Sequence, residues 1–215
     1  MRQSTVGFIA AAMVFATPLV AQQVAPRSTS IMIGPFAGLN YTTVYGSDAS
    51  GEDSRMDFAV GGQLDSKVEQ NGLFRTGLVY SRRGFKMSDQ GVSVNFKFSY
   101  LEVPLLLGYR FPTTSGAKPY VLGGANVAFK VGCSIEASGG GQSASEACDN
   151  IDPTLKFSST DIAAVAGGGV EFPIGVNTLA VDLRYALGFQ KVEKSTDIKN
   201  KGLTLGFAFM VPVGR

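Results

Sequence analysis

Strict alternation of apolar side chains over residues 99–111 (SYLEVPLLLGYRF) is the feature that most limits how this chain can fold. The odd positions from Leu101 to Phe111 are all apolar, whereas Glu102, Gly108 and Arg110 lie at even positions. Because side chains of a strand alternate between its two faces, one face of this segment is apolar and the other carries charges. The pattern predicts a two-faced β-strand, which a soluble sandwich could also contain.

Comparable alternation recurs along the chain and predicts eight strands, of which 178–190 is the clearest. The predicted strands are 30–42, 56–67, 72–83, 93–111, 120–130, 157–172, 178–190 and 201–213. The odd-numbered connections, such as 84–92 and 131–156, are long and polar, and the even-numbered ones are short. This parity favours an all-β fold, an eight-stranded antiparallel up-and-down transmembrane β-barrel, over a soluble sandwich, and a soluble periplasmic barrel is the remaining alternative. Each segment also reaches the 9–11 residues that a tilted membrane strand needs.

The first 21 residues have the pattern of a secretory signal peptide. Arg2 precedes an apolar run at 6–16, Pro18 interrupts it, and Ala21 provides a small residue for cleavage. The sequence therefore predicts a cleaved signal peptide at 1–21, a linker at 22–29 and a barrel domain at 30–215. A buried N-terminal helix is the alternative interpretation of the apolar run.

Composition excludes several classes of function. The chain has no His, so a Ser–His–Asp triad, a Cys–His pair and a His-ligated zinc ion are excluded. A formal charge of +2 argues against nucleic acid as a partner. Acidic residues in two polar segments lack EF-hand spacing and are interpreted as solvated. We therefore expect no enzyme, cofactor or metal site. These acidic residues are Asp48, Glu52, Asp53, Asp149 and Asp152.

Cys133 and Cys148 are the two cysteines of the chain. In an exported protein a lone pair most often forms a disulfide, although two free thiols in a mobile loop are the alternative. The intervening segment 134–147 (SIEASGGGQSASEA) is rich in Gly and Ser. We expect it to be a loop, too polar for a strand, which the disulfide stabilises by about 3 kcal/mol.

Alternation assigns nine charged side chains to the barrel lumen. They are Asp65, Arg75, Glu102, Arg110, Lys130, Asp161, Glu171, Asp182 and Arg184. Charges of both signs in a narrow lumen are expected to pair, which favours a salt-bridged plug over an ion path or proton relay. Aromatic residues near strand ends are expected to form interfacial girdles. These are Tyr41, Tyr80, Tyr109, Phe111, Tyr120, Phe172, Tyr185 and Phe189.

Motifs at 78–84 (LVYSRRG), 100–111 (YLEVPLLLGYRF) and 167–188 make the chain resemble the outer-membrane protein β-barrel domain family, the PorT-like or "porin family" barrels of Gram-negative bacteria. The matching positions also include Gly34, Gly38, Leu39, Asn40, Pro119 and Tyr120. The chain departs from the family pattern at Gly77, where the family has an acidic residue, and at Arg215, where a terminal aromatic is usual. The resemblance implies an outer-membrane location.

The expected function is that of a structural or surface-interaction protein acting through four extracellular loops. The alternative is a narrow channel or small-solute transporter of the outer membrane. Outer-membrane lipid and, during biogenesis, the barrel-assembly machinery are the expected partners, together with a surface ligand or a host or cell partner at the loops. We expect a monomer.

Overall fold

The computed structural model describes residues 31–49, 52–89, 92–114, 116–140, 142–151, 157–192 and 196–213. Within these ranges the chain forms β-strands and one short helix. The elements are β1 (Ile31–Tyr45), β2 (Glu52–Val68), β3 (Gly72–Asp89), β4 (Val92–Arg110), β5 (Lys118–Gly139), β6 (Gln142–Ala147), α1 (Cys148–Ile151), β7 (Thr160–Ile174), β8 (Asn177–Lys191) and β9 (Lys199–Val213). The predicted signal peptide and linker lie outside the described residues. In the part of the chain described, no helix is long and apolar enough to cross a membrane.

Eight strands close into an antiparallel ring in the order β4-β3-β2-β1-β9-β8-β7-β5, and β5 pairs with β4. The first and last strands of the chain are neighbours, since β1 pairs with both β2 and β9. The strand β6 lies outside the ring and pairs with β5. The predicted eight-stranded antiparallel barrel is therefore confirmed.

The lower part of the barrel, at the end where β1 begins and β9 ends, is apolar outside and charged inside. Leu107 is 64% exposed and Leu183 is 51% exposed on the outer wall, whereas Arg75 is 0% and Asp65 2% exposed within the ring. This distribution is the reverse of a water-soluble core and suits a wall that faces lipid.

The upper part of β3 and β4 reverses this arrangement. The outward side chains change from Tyr80 and Leu101, which are paired in register, to Lys86 and Lys97 higher up. The inward side chains become apolar at the same level, with Phe85, Phe96 and Phe98 facing the ring interior. Polar outside and apolar inside is the pattern of a sheet in water, so the lipid-facing wall ends close to Tyr80 and Leu101.

The predicted long connection at 84–92 is wrong. Only residues 90–91 separate β3 from β4, and the two strands stay paired up to Asp89 and Val92. Because six additional residues follow Arg83 in β3, the hairpin extends roughly 20 Å further along the strands. Its outward side chains are polar because they meet water, which made the segment look like a loop in the sequence.

The expectation that 134–147 is too polar for a strand is also wrong. The chain continues β5 to Gly139 and returns as β6, with Ser134 paired to Ala147 and Gly139 to Gln142. Backbone pairing of this hairpin requires no apolar side chains, and its side chains contact water. The next strand, β7, begins at Thr160 rather than at residue 157.

Candidate functional site

The guanidinium of Arg75 joins two carboxylates in the lower part of the lumen. Its Nε and Nη2 donate to the two oxygens of Asp65 at 2.9 and 2.8 Å, and its Nη1 donates to Asp182 Oδ2 at 2.6 Å. The hydroxyl of Tyr120 accepts from Arg75 Nη1 at 2.9 Å and donates to Asp182 Oδ2 at 2.8 Å. All four residues are buried, so this group satisfies its charges internally.

Arg184 extends this group across the lumen. Its Nε donates to Asp182 Oδ1 at 2.7 Å, its Nη2 donates to Gln63 Oε1 at 3.0 Å, and its guanidinium carbon lies 5.1 Å from the centre of the Phe36 ring. We call Asp65, Arg75, Tyr120, Asp182, Arg184 and Gln63 the lower network. Its two cations and two carboxylates balance, and its residues come from β2, β3, β5 and β8.

A second group, the upper network, lies nearer the outer part of the ring. Arg83 Nη2 donates to Glu102 Oε2 at 2.9 Å, and Glu102 also accepts from Asn126 Nδ2 at 2.7 Å. Asp161 accepts from Asn200 Nδ2 at 2.9 Å, and its charge also acts on Arg83. We define the upper network by these five residues.

The remaining predicted lumen residues lie near the two ends of the barrel. At the lower end Arg110 Nε donates to both oxygens of Glu171, at 3.0 and 2.8 Å, beside an open cavity of about 370 Å³. Near the upper end Lys130 Nζ donates to the carbonyl of Phe157 at 3.4 Å and lies 5.2 Å from the centre of its ring. The structure therefore distributes eight of the nine predicted residues over three charged groups and places Lys130 near the upper end, beside Phe157.

Sequence reasoning missed two side chains at the centre of these networks. Arg83 lies eight residues after Arg75 on the same strand, so the alternation that placed Arg75 inside also places Arg83 there. Tyr120 was expected in an interfacial girdle, and that expectation is wrong because Tyr120 is only 2% exposed and hydrogen-bonds Arg75 and Asp182. A tyrosine near a strand end can face either the lipid or the lumen. The alternation of side chains along β5 was the sequence signal that could have placed Tyr120 in the lumen.

Between the two networks a cavity of about 40 Å³ remains, lined by Phe36, Leu106 and Val165 along with Arg83 and Arg184. A space of this size holds a few water molecules at most. Side chains therefore fill the lumen along most of its length, as expected for an eight-stranded barrel. Among the described residues no group of three or more Cys, Asp and Glu side chains is arranged to hold a metal ion.

Above the barrel wall, β3, β4, β5 and β6 continue as a sheet. We call residues 84–89, 92–99, 132–139 and 142–147 of these strands the outer sheet. A disulfide joins Cys133 to Cys148, with their Cα atoms 5.5 Å apart, directly below the first β5–β6 pair. Lys97 forms an ion pair with Glu136 on the outward face of this sheet. The hairpin is thus closed covalently at its base.

A closed antiparallel ring with an apolar outer wall and paired charges inside defines a transmembrane β-barrel. Residues 20–194 match the family described as "Outer membrane protein beta-barrel domain", which covers most of the chain. The chain belongs to this family, and its location is the outer membrane of Gram-negative bacteria. In such barrels the short turns face the periplasm, which predicts that the outer sheet lies outside the cell.

Solved structures with similar folds are small outer-membrane barrels. Neisserial surface protein A (NspA) is 17% identical with a TM-score of 0.48, over 84% of this chain and 97% of that one. OprG of Pseudomonas aeruginosa is 11% identical with a TM-score of 0.49, over 87% and 97%. Ail, the attachment invasion locus protein of Yersinia pestis, is 14% identical with a TM-score of 0.42, over 83% and 97%. No curated protein matches the sequence.

Proposed function

We propose that the protein is a closed, non-conducting outer-membrane scaffold that presents its outer sheet to a partner outside the cell. The observation that carries this proposal is the completely buried Arg75, whose guanidinium lies between Asp65 and Asp182. An ion crossing the lumen would have to separate these partners, and breaking a buried pair costs about 3–5 kcal/mol. The upper network forms a second barrier along the same path.

The edge of β6 supports the surface role. All six of its side chains are exposed, and among the described strands it pairs with β5 alone. Its sequence QSASEA carries small side chains and a single carboxylate, Glu146, which accepts from Asn150 Nδ2 at 2.8 Å. An unpaired edge of this kind can add an extended peptide by backbone hydrogen bonding. The partner chemistry that fits is therefore an extended peptide segment.

The lumen also supports a non-catalytic role. Its carboxylates pair with arginines or accept hydrogen bonds from asparagines, and the chain has no His to activate a nucleophile. The charges of the lumen therefore act in closing the barrel.

Two measurements test the proposal. Purified protein in a planar bilayer is expected to show no steady conductance steps, whereas regular steps would favour the narrow channel and contradict the scaffold. In parallel, a displayed library of random peptides is selected on the protein in lipid nanodiscs. The expected result is enrichment of extended, β-prone peptides.

A linker variant tests whether the peptides bind at β6. It replaces residues 134–147 with a short Gly-Ser linker and keeps Cys133 and Cys148. We expect it to lose the selected peptides, while Lys86→Ala, on the same sheet but away from β6, keeps them. Peptides that bind the linker variant equally well, or a selection without enrichment, would overturn the surface role. A heat-dependent shift in gel mobility verifies that each variant is folded.

A further inference from the structure

The outer mouth of the barrel contains an apolar cleft of about 270 Å³. Its walls are formed mainly by Phe85, Phe96, Ile135, Phe157, Val192 and Ile198, which come from three strands and two connections. For comparison, an apolar cavity of about 150 Å³ in another protein binds benzene. The cleft is therefore large enough for a small organic molecule.

Aromatic packing gives the cleft defined walls and a floor. The rings of Phe85 and Phe96 stack with centroids 4.7 Å apart, and those of Phe98 and Phe157 pack at 61° with centroids 5.4 Å apart. Phe98 and Tyr100 are buried beneath them, and Tyr100 borders the upper network through its contact with Asn200. Because charged side chains close the lumen below, a ligand reaches the cleft from outside the cell and does not pass further into the lumen.

A β-bulge in β5 adds Ile135 to the inward apolar side chains that β3 and β4 supply at this level. A register shift between Ser54 and Ala59 in β2, and another opposite Ser99 and Tyr100 in β5, change which residues face inward. Beyond the second bulge Ile135 is paired with Phe96 and faces the cleft, whereas Ser134 is paired with Lys97. The sheet thus places an apolar face inward above the membrane, where the interior is only partly filled.

The polar groups of the cleft indicate the chemistry of the ligand. The hydroxyl oxygen of Thr196 is buried and has no hydrogen-bond partner among the described residues. Glu52 also lines the cleft, and no described lining residue is cationic. An anionic head group would therefore be repelled, whereas an uncharged group could use the Thr196 hydroxyl.

We propose that this cleft binds the alkyl chain of an uncharged amphiphile whose polar end hydrogen-bonds the Thr196 hydroxyl. The occupant that fits is a free amphiphile from the medium, because the lipids of the surrounding membrane carry charged phosphate groups. The site is separate from the β6 edge, so it does not depend on peptide binding there, whereas the route of entry rests on the closed lumen of the proposed function.

A single tryptophan provides the test, because the chain contains none. Met87 lines the cleft and is 40% exposed, so Met87→Trp adds a reporter at its rim. The protein in nanodiscs is titrated with bromohexanol and its longer homologues, whose bromine quenches tryptophan on contact. We expect saturable quenching with about fourfold tighter binding for each added methylene until the cleft is full. Quenching that never saturates would overturn the proposal.

Matched variants separate the cleft from the membrane. Adding Ile135→Glu to the reporter places a carboxylate in the cleft and should abolish saturable quenching, whereas Ser134→Glu, at the next position on the opposite face, should retain it. Thr196→Val should weaken bromohexanol roughly two- to tenfold but leave bromohexane unchanged. Equal binding by the two glutamate variants would contradict the assignment. Heat-dependent gel mobility verifies folding in each case.

A further titration tests whether a membrane lipid occupies the cleft instead of an uncharged amphiphile. In nanodiscs made with brominated-acyl phosphatidylcholine, a lipid occupant would quench Met87→Trp before any alcohol is added, and unbrominated octanol would restore the fluorescence. A free amphiphile as occupant gives quenching by bromohexanol alone. Quenching by bromohexanol alone supports the proposal, lipid quenching that octanol reverses would overturn the uncharged occupant, and the absence of both excludes the site.

Discussion

Arg75 is the cation that holds the lower network together, because it is completely buried and contacts both Asp65 and Asp182. Replacement with Met keeps an apolar stem but leaves these carboxylates in the lumen without that cation. We expect Arg75→Met to lower the free energy of unfolding by about 3–5 kcal/mol, measured by urea unfolding in lipid vesicles.

The same experiment has an internal rescue. Adding Asp65→Asn to Arg75→Met removes the one uncompensated carboxylate, because Asp182 keeps its ion pair with Arg184, and should restore much of the lost stability. Lys67→Met, at an exposed position of the same strand pair, serves as the control and should change stability little. A double variant Arg75→Met/Asp65→Asn no more stable than Arg75→Met would contradict the electrostatic explanation.

Gly206 leaves space for the lower network. A Cβ atom there would lie 2.7 Å from Phe36 Cε2 and 2.9 Å from Asp182 Oδ1, both closer than normal contact. We expect Gly206→Ala to lower the free energy of unfolding by about 1–3 kcal/mol. Gly62 is a matched control in the neighbouring wall, since a Cβ there meets nothing within 4 Å. Equal effects of Gly206→Ala and Gly62→Ala on the urea-unfolding midpoint would refute the steric argument.

Among the structural elements, the β5–β6 hairpin depends most on a covalent bond. Its side chains contribute little apolar burial, and the Cys133–Cys148 disulfide closes its base. Replacing both cysteines with Ser removes a loop constraint of about 3 kcal/mol. We expect faster cleavage at Glu146 by a glutamate-specific protease, with an unchanged urea midpoint for the barrel. Unchanged cleavage would show that β5–β6 pairing alone holds the hairpin.

The ion pair between Lys97 and Glu136 makes the outer sheet sensitive to acid. The hydrogen bond and charge of Lys97 hold the pKa of the Glu136 carboxyl below its usual value, which is about 4.3 in unfolded chains. A lowered folded-state pKa stabilises the fold above the unfolded pKa, and that contribution is lost as pH falls through the folded pKa. We therefore expect cleavage of the hairpin by pepsin to increase as pH falls below about 4.

Lys97→Met isolates this effect, because it returns the pKa of Glu136 toward its usual value and removes the pair. Its hairpin should be cleaved at rates that change less with pH over the same range. An NMR titration of the Glu136 carboxyl in both proteins measures the pKa directly. A pKa that is the same with and without Lys97 would contradict the assignment.

The elements that sequence patterns predicted best are those that meet lipid. In β8 the alternation from Leu179 to Phe189 separates the lipid face from Asp182 and Arg184, because lipid requires a uniformly apolar outer wall. Above the membrane this requirement ends, and the inward Phe85 and Phe96 lie between polar residues that suggest a loop. Patterns on one strand also cannot specify contacts across the ring, such as Arg75 with Tyr120, since these depend on barrel closure and register.

At the scale of the whole molecule, the chain forms three layers along the barrel axis. The lower network fills the membrane-spanning lumen, the upper network lies above it, and the apolar cleft opens outside. The three layers share strands but few side chains. A substitution in one layer therefore need not disrupt the packing of the other two. The barrel wall therefore serves as a common frame for separate interior regions.

This arrangement predicts how ions would cross the barrel. The two networks lie in series, so the lumen stays closed as long as either remains intact. We expect Arg75→Ala and Arg83→Ala each to show no conductance steps in a planar bilayer, because the other network still blocks the path. The double variant Arg75→Ala/Arg83→Ala removes both central cations and enlarges the 40 Å³ cavity between them, so it should give measurable steps. Gel mobility before and after heating verifies its folding.

Steps in either single variant would show that one network alone closes the lumen. A folded double variant without conductance steps would assign closure to the aromatic floor above, where Phe98 and Tyr100 pack.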